Sequence, residues 1–161
     1  MDVPSKYQYQ WNHPWTRKAK YGPRFRMWLN SHGYLSPHFR ISEARSGDGA
    51  WPKGMVKVRA RNHAFNLERF RHELGDRPVQ IISWYRSPAH NKAVHGAAKS
   101  QHVRGCATDH SREWVERVGR DRVMRAARKV FAKGGIGTYP GGSVHLDSRG
   151  YTARWSDWVR T

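Results

Sequence analysis

The sequence predicts an α+β fold, a small antiparallel sheet flanked by helices, and three observations carry that expectation. Helical and strand-like patterns fall in separate blocks rather than alternating regularly, which argues against a doubly wound parallel sheet. The strand-like runs are short and bounded by turn residues. The chain has 161 residues, enough for one hydrophobic core but not for two.

Residues 1–20 are basic and aromatic, with Trp11, Pro14 and Trp15 and no clear period. They are expected to form an arm laid over the domain or docked on a partner, and residues 21–161 the single domain. Pro23 opens a helix to about Ser31, with Phe25, Trp28 and Leu29 as its apolar side and Gly33 as its stop. Ser42 to Gly54 carries Gly47, Asp48, Gly49 and Pro52, which is loop chemistry. From Val56 to Leu74 the pattern is helical: His63, Leu67, Phe70 and Leu74 share one face, and Gly75 caps it. Val79 to Trp84 is apolar and β-branched and reads as a buried strand. Tyr85 to Lys99 reads as a long loop with one helical turn, and Cys106 to His110 as a strand. Arg120 to Lys133 is a helix whose inward side is Val123, Ala127, Val130 and Phe131, stopped by Gly134-Gly135. Ile136 to Tyr139 and Val144 to Asp147 are strands joined through Pro140-Gly141-Gly142 in a hairpin-like connection. Trp155 and Trp158 close the chain on a short helix or turn.

Hydrophobic content is low at 37%, but eight Trp, seven Tyr and five Phe compensate, because each aromatic buries a large area. No stretch approaches the roughly 20 apolar residues of a membrane span. Met1-Asp2-Val3-Pro4-Ser5-Lys6 lacks a charged-then-apolar secretory pattern. The expectation is a protein made in the cytoplasm that reaches any outside target by another route. Thirty Lys and Arg against twelve Asp and Glu give a net charge of +18. A field of that sign concentrates polyanions: nucleic acid, an anionic cell wall or a membrane surface. Cys106 is the only cysteine, so no intrachain disulfide forms, and it reads as a small buried filler.

The chemistry concentrates in two segments. Ser100-Gln101-His102-Val103-Arg104-Gly105-Cys106-Ala107-Thr108-Asp109 places a His and an Asp seven positions apart around a Gly, and Ser143-Val144-His145-Leu146-Asp147 adds a second imidazole. His102, Asp109 and His145 make a three-ligand set with one position left open, as in catalytic zinc sites; structural zinc is closed by four protein ligands. Gly105 permits the reversal that lets His102 and Asp109 converge. Such an ion lowers the pKa of water towards ~7 and polarises a carbonyl. His145-Leu146-Asp147 is also an HxD pair, as in the non-haem iron facial triad. That site needs a second His well downstream, and none follows Asp147.

Ser83-Trp84-Tyr85-Arg86-Ser87-Pro88-Ala89-His90-Asn91, then Ser100-x-His102-x-x-Gly105-x-Ala107-x-Asp109, then Gly135-Ile136-Gly137 leading to Val144-His145-Leu146-Asp147, resembles the zinc D-Ala-D-Ala carboxypeptidases and L-Ala-D-Glu endopeptidases. These are the LAS-type peptidoglycan peptidases, which share a zinc scaffold with the hedgehog signalling domain. The resemblance spans about Pro37 to Trp158. It implies one Zn²⁺ per chain on His102, Asp109 and His145. Arg86 would stabilise the oxyanion or bind a substrate carboxylate bidentately, or else tie down the long loop. Ser100 would bind substrate or orient the ligand loop.

Family members carry an acidic residue three positions before the last His, or a His two positions before it. This chain has Gly142 and Ser143 there. Asp147 is the substitute candidate, since residues i and i+2 of a strand share a face. It would act either as the general base or as an acceptor orienting a ligand His. His95 stands where Gly is common, and His110 follows the ligand Asp where an apolar residue is usual.

The resemblance implies a zinc peptidase that cleaves peptidoglycan stem peptides, as a D,D-carboxypeptidase or an L-Ala-D-Glu-type endopeptidase. The charge would hold it on anionic wall polymers. The form expected is a phage endolysin-like lysin or a virion component, the latter anchored through residues 1–20. The alternative is a non-catalytic, zinc-stabilised virion or nucleic-acid-binding protein on the same scaffold.

Overall fold

The computed structural model describes residues 1–16 and 21–156; part of the expected arm, residues 17–20, and Trp158 lie outside them. Helices α1 (Gln8–Asn12), α2 (Pro23–Ser31), α3 (Gly54–Glu73), α4 (Pro88–Ala93), α5 (Arg112–Val118) and α6 (Arg120–Val130) surround two sheets. Strands β1 (Tyr34–Ser36) and β2 (Phe39–Arg40) form a small hairpin. The main sheet has the order β3 (Ala107–His110), β5 (Val144–Asp147), β4 (Gly135–Thr138), β6 (Ala153–Ser156).

Helix α3 forms where the periodicity places it: His63, Leu67, Phe70 and Leu74 are all buried. They pack with Trp84, Trp114, Val123, Ala127, Phe131, Ile136 and Leu146 in one core between helices and sheet. A second cluster sits around Tyr7, Phe25 and Leu29, joined by Trp11, Tyr21, Trp28 and Tyr34. Through it the N-terminal aromatics rest on α2, with Tyr7 5.0 Å from Phe25 between ring centroids.

The structure departs from expectation in four places. The main sheet is mixed rather than wholly antiparallel, because β6 runs parallel to β4. The stretch with Trp155 is that strand, not a helix or turn: its exposure alternates with period two, and Ala153 N–H donates to Gly134 O. Val79 to Trp84 is not a buried strand. Only Ser83 bridges β3, opposite Asp109, and Ile82 is 57% exposed. Side chains take carbonyls at its start: the His110 ring donates to Gln80 O, and the Trp114 indole to Pro78 O just before the run. Helix α5 had no apolar period long enough to announce it. Its start is set locally by Ser111, whose Oγ accepts from Trp114 N–H.

Candidate metal centre and active cleft

Strand register builds the site. Across the sheet, Asp109 stands opposite His145, His145 opposite Gly137, and Gly137 opposite Trp155. Two residues along, the row is Ala107, Asp147, Gly135 and Ala153. Thr108, Val144, Leu146 and Ile136 alternate onto the opposite, core-facing side. The two glycines of Gly135-Ile136-Gly137 make room on the site face. A Cβ at Gly137 would lie 2.3 Å from the Trp155 ring, and one at Gly135 would lie 2.1 Å from Asp147 Oδ2.

His102 comes from the turn before β3. Gly105 reverses the chain with φ +79°, and a Cβ there would meet Val56 O at 2.7 Å. Trp84 holds this turn twice: its indole donates to Gly105 O, and its carbonyl lies 2.5 Å from His102 Nδ1. Ser100 Oγ accepts from His102 N–H at 3.3 Å, and Ser100 also lines the cleft.

Three donor atoms then converge. His102 Nε2 is 3.2 Å from both Asp109 Oδ1 and His145 Nδ1, and His145 Nδ1 is 2.9 Å from Asp109 Oδ1. These separations approach the edge of a tetrahedron with zinc-like bonds, about 3.3 Å. The outer nitrogens decide the tautomers. A carbonyl oxygen only accepts, so His102 Nδ1 carries the proton it gives to Trp84 O. His145 Nε2 likewise donates to Asp147 Oδ2 at 2.9 Å. The neutral rings therefore aim two lone pairs at a carboxylate oxygen, an arrangement that calls for a cation. His145 lies between two carboxylates, Asp109 and Asp147. Burial lowers its pKa, but Asp109 and Asp147 more than offset this and raise it. Burial likewise raises Asp109, but the closeness of the His102 and His145 rings holds it below the usual carboxylate range. The site fits a divalent cation held by two imidazoles and one carboxylate.

A family model described as Peptidase M15 matches residues 37–147, a stretch that includes all three donors. The chain belongs to the peptidase M15 family. It is also 32% identical over 77 residues to the zinc D-Ala-D-Ala carboxypeptidase of Streptomyces albus G; the match covers 45% of this chain and 30% of that protein. This M15 chain thus spans under a third of that relative's length.

The donors sit in a cleft of about 620 Å³, lined also by Arg86, His95, Lys99, Ser100, Tyr139, Arg149 and Trp155. Arg86 Nη2 donates to Asp109 Oδ2 at 2.6 Å, while Oδ1 faces the two imidazoles. Asp147 does not line the cleft. It is fully buried, and its oxygens accept from Gly135 N–H, Arg149 N–H, the Arg149 guanidinium and His145. Arg149 and Trp155 escaped the sequence reading. The signal for Arg149 was its i+2 spacing from Asp147; Trp155 is placed by a strand pairing that no local pattern announces. Cys106 is buried, and its thiol, pushed up by burial, lies against Gln101.

His110 is not part of the cleft. On the core side, Asn66 donates to Ser148 Oγ, and a chain continues through His63, Thr108 and His110 to Gln80 O. Each link has a donor and an acceptor, so this relay of buried polar groups ties α3 to the strand that carries Asp109.

Proposed function

We propose that this chain is a zinc metallopeptidase that hydrolyses peptide bonds of peptidoglycan stem peptides, as a D,D-carboxypeptidase or an L-Ala-D-Glu-type endopeptidase. The observation that carries the reading is the convergence of three metal donors on a cleft that also presents the Arg86 and Arg149 guanidinium groups. Zinc held by His102, Asp109 and His145 would supply Lewis acidity towards the scissile carbonyl and would lower the pKa of a bound water. Arg86, held by Ser83 Oγ and Asp109, is poised to stabilise negative charge developing on the carbonyl oxygen. Arg149, fixed by Asp147 and lying over Trp155 and Tyr151, suits a substrate carboxylate. Ser100 stands at the rim as a polar contact for the peptide. Asp147 acts through His145, as the acceptor that sets its tautomer and raises its basicity.

A basic groove supports the wall-directed part of the proposal. This second groove, of about 760 Å³, carries Arg120, Arg125, Arg128 and Arg154 against Asp121 alone, and Trp155 belongs to both groove and cleft. An anionic wall polymer lying there would keep the stem peptide near the metal centre. Lytic action from a phage endolysin-like or virion-borne enzyme belongs to the same reading, with residues 1–20 as the virion anchor. Among the described residues no helix is long and apolar enough to cross a membrane.

The deciding experiment is mass spectrometry of muropeptides after digestion with the zinc-loaded protein. New peptide termini that vanish with a chelator support the proposal and name the bond. Bound zinc with intact muropeptides from every wall type overturns it in favour of a binding protein on the same scaffold.

A further inference from the structure

We propose that His95 carries the proton in the reaction of this cleft, an inference that rests on the peptidase reading above. Hydrolysis needs a group that takes a proton from water and returns it to the leaving nitrogen. Gly142 and Ser143, just before His145, offer no side chain suited to that exchange. Asp147 is sealed from the cleft and saturated by Arg149, Gly135 and His145. Apart from the ligands, the titratable groups facing the cleft are Arg86, Lys99, Tyr139, Arg149 and His95. Only imidazole belongs to a residue type that ordinarily exchanges protons near neutral pH.

The backbone at His95 makes the same point independently. Its φ is +52°, a left-handed conformation just past the end of α4, where glycine is the unstrained choice. Its neighbours enforce that conformation: Gly96 N–H donates to Asn91 O, and Asn91 Nδ2 to Ala97 O. The chain therefore keeps an imidazole at the cleft rim at a conformational cost that glycine would remove. Among the described residues the ring has no hydrogen-bond partner that would occupy it.

The step balances. As the water oxygen bonds to the scissile carbonyl carbon, one water proton passes to a ring nitrogen of His95. As the C–N bond breaks, that proton passes to the leaving nitrogen, and neutral imidazole returns. The products are one amine and one carboxylic acid, which keeps the second water proton until it ionises.

The test compares wild type, His95→Gly and His95→Asn, each zinc-loaded, on the stem peptide that wild type cleaves. Both variants should keep their zinc, lose about 10²–10⁴-fold in kcat and change little in KM. His95→Gly should melt about 2–4 °C higher as the strain is released. Added imidazole should restore part of its activity and none of that of His95→Asn, which leaves no hole. Wild-type cleavage with His95→Gly within a few-fold of it would overturn the His95 assignment and leave the peptidase reading standing. A zinc-loaded wild type that cleaves no stem peptide would overturn both.

Discussion

Asp147 Oδ2 lies 2.9 Å from His145 Nε2, on the side of the imidazole away from Asp109, which meets Nδ1. Asp147 therefore belongs behind the ligand rather than in the cleft. Its replacement should read out as a metal defect. Asp147→Asn is expected to weaken zinc affinity about 10–100-fold, measured by competition with a chromophoric chelator. A loss of kcat with unchanged zinc affinity would instead point to direct proton transfer by Asp147.

His102→Ala removes one of three donors and leaves Asp109 and His145 facing each other. The purified variant should hold far less than one zinc per chain by elemental analysis, and peptidoglycan turbidity clearance should vanish with it. Chelator treatment of the wild type should do the same, reversibly on adding zinc.

Gly135→Ala puts a methyl group where the Asp147 carboxylate sits, 2.1 Å from Oδ2. Since β4 is bounded by strands on both sides, the backbone has little room to yield. Overpacking of this kind should cost about 1–3 kcal/mol in urea unfolding. Because Asp147 must shift, zinc affinity should fall as well, although residue 135 touches no metal donor.

His63 gives the protein an acid-sensitive core. Burial pushes its pKa well below the ordinary histidine value, so the folded state keeps it neutral where the unfolded chain would protonate. Its contribution is complete above the unfolded pKa of about 6.5 and is lost as pH falls below that value. Urea midpoints should therefore drop between pH 7 and pH 5. His63→Gln should be less stable at pH 7, by about 1–3 kcal/mol, yet show a flatter pH dependence. An unchanged slope would remove His63 from the account.

Arg125 and Arg128 are exposed in the arginine groove. Arg125→Glu with Arg128→Glu should leave stability within about 0.5 kcal/mol but weaken binding to an anionic wall polymer and flatten its salt dependence. Lys53→Glu with Arg69→Glu makes the same charge change outside the groove. If both pairs behave alike, net charge rather than the groove governs wall binding.

Much of this was legible in the sequence because it is encoded locally. The stripe His63, Leu67, Phe70, Leu74 dictates α3, since helical period fixes which side chains share a face. Gly105 between His102 and Asp109 announces a reversal, since few other residues tolerate its φ. What escaped depends on partners distant in the chain. Val79 to Trp84 has strand composition, but its Gln80 carbonyl is taken by the His110 ring, and the Pro78 carbonyl just before it by the Trp114 indole. Trp155 lies in a strand only because β4 offers an open parallel edge.

By itself, then, the sequence determined which atoms are available to a metal: two imidazoles and a carboxylate at spacings a turn and a hairpin can bring together. Only the tertiary structure decided which nitrogen of each ring faces the other donors. That choice is made by Trp84 O and Asp147, 18 residues from His102 and two from His145, and a proton's position follows from its hydrogen-bond partner. The same packing withdrew Asp147 from the cleft and left His95 at its rim. Burial and strand register are properties of the assembled sheet, and no single segment carries them.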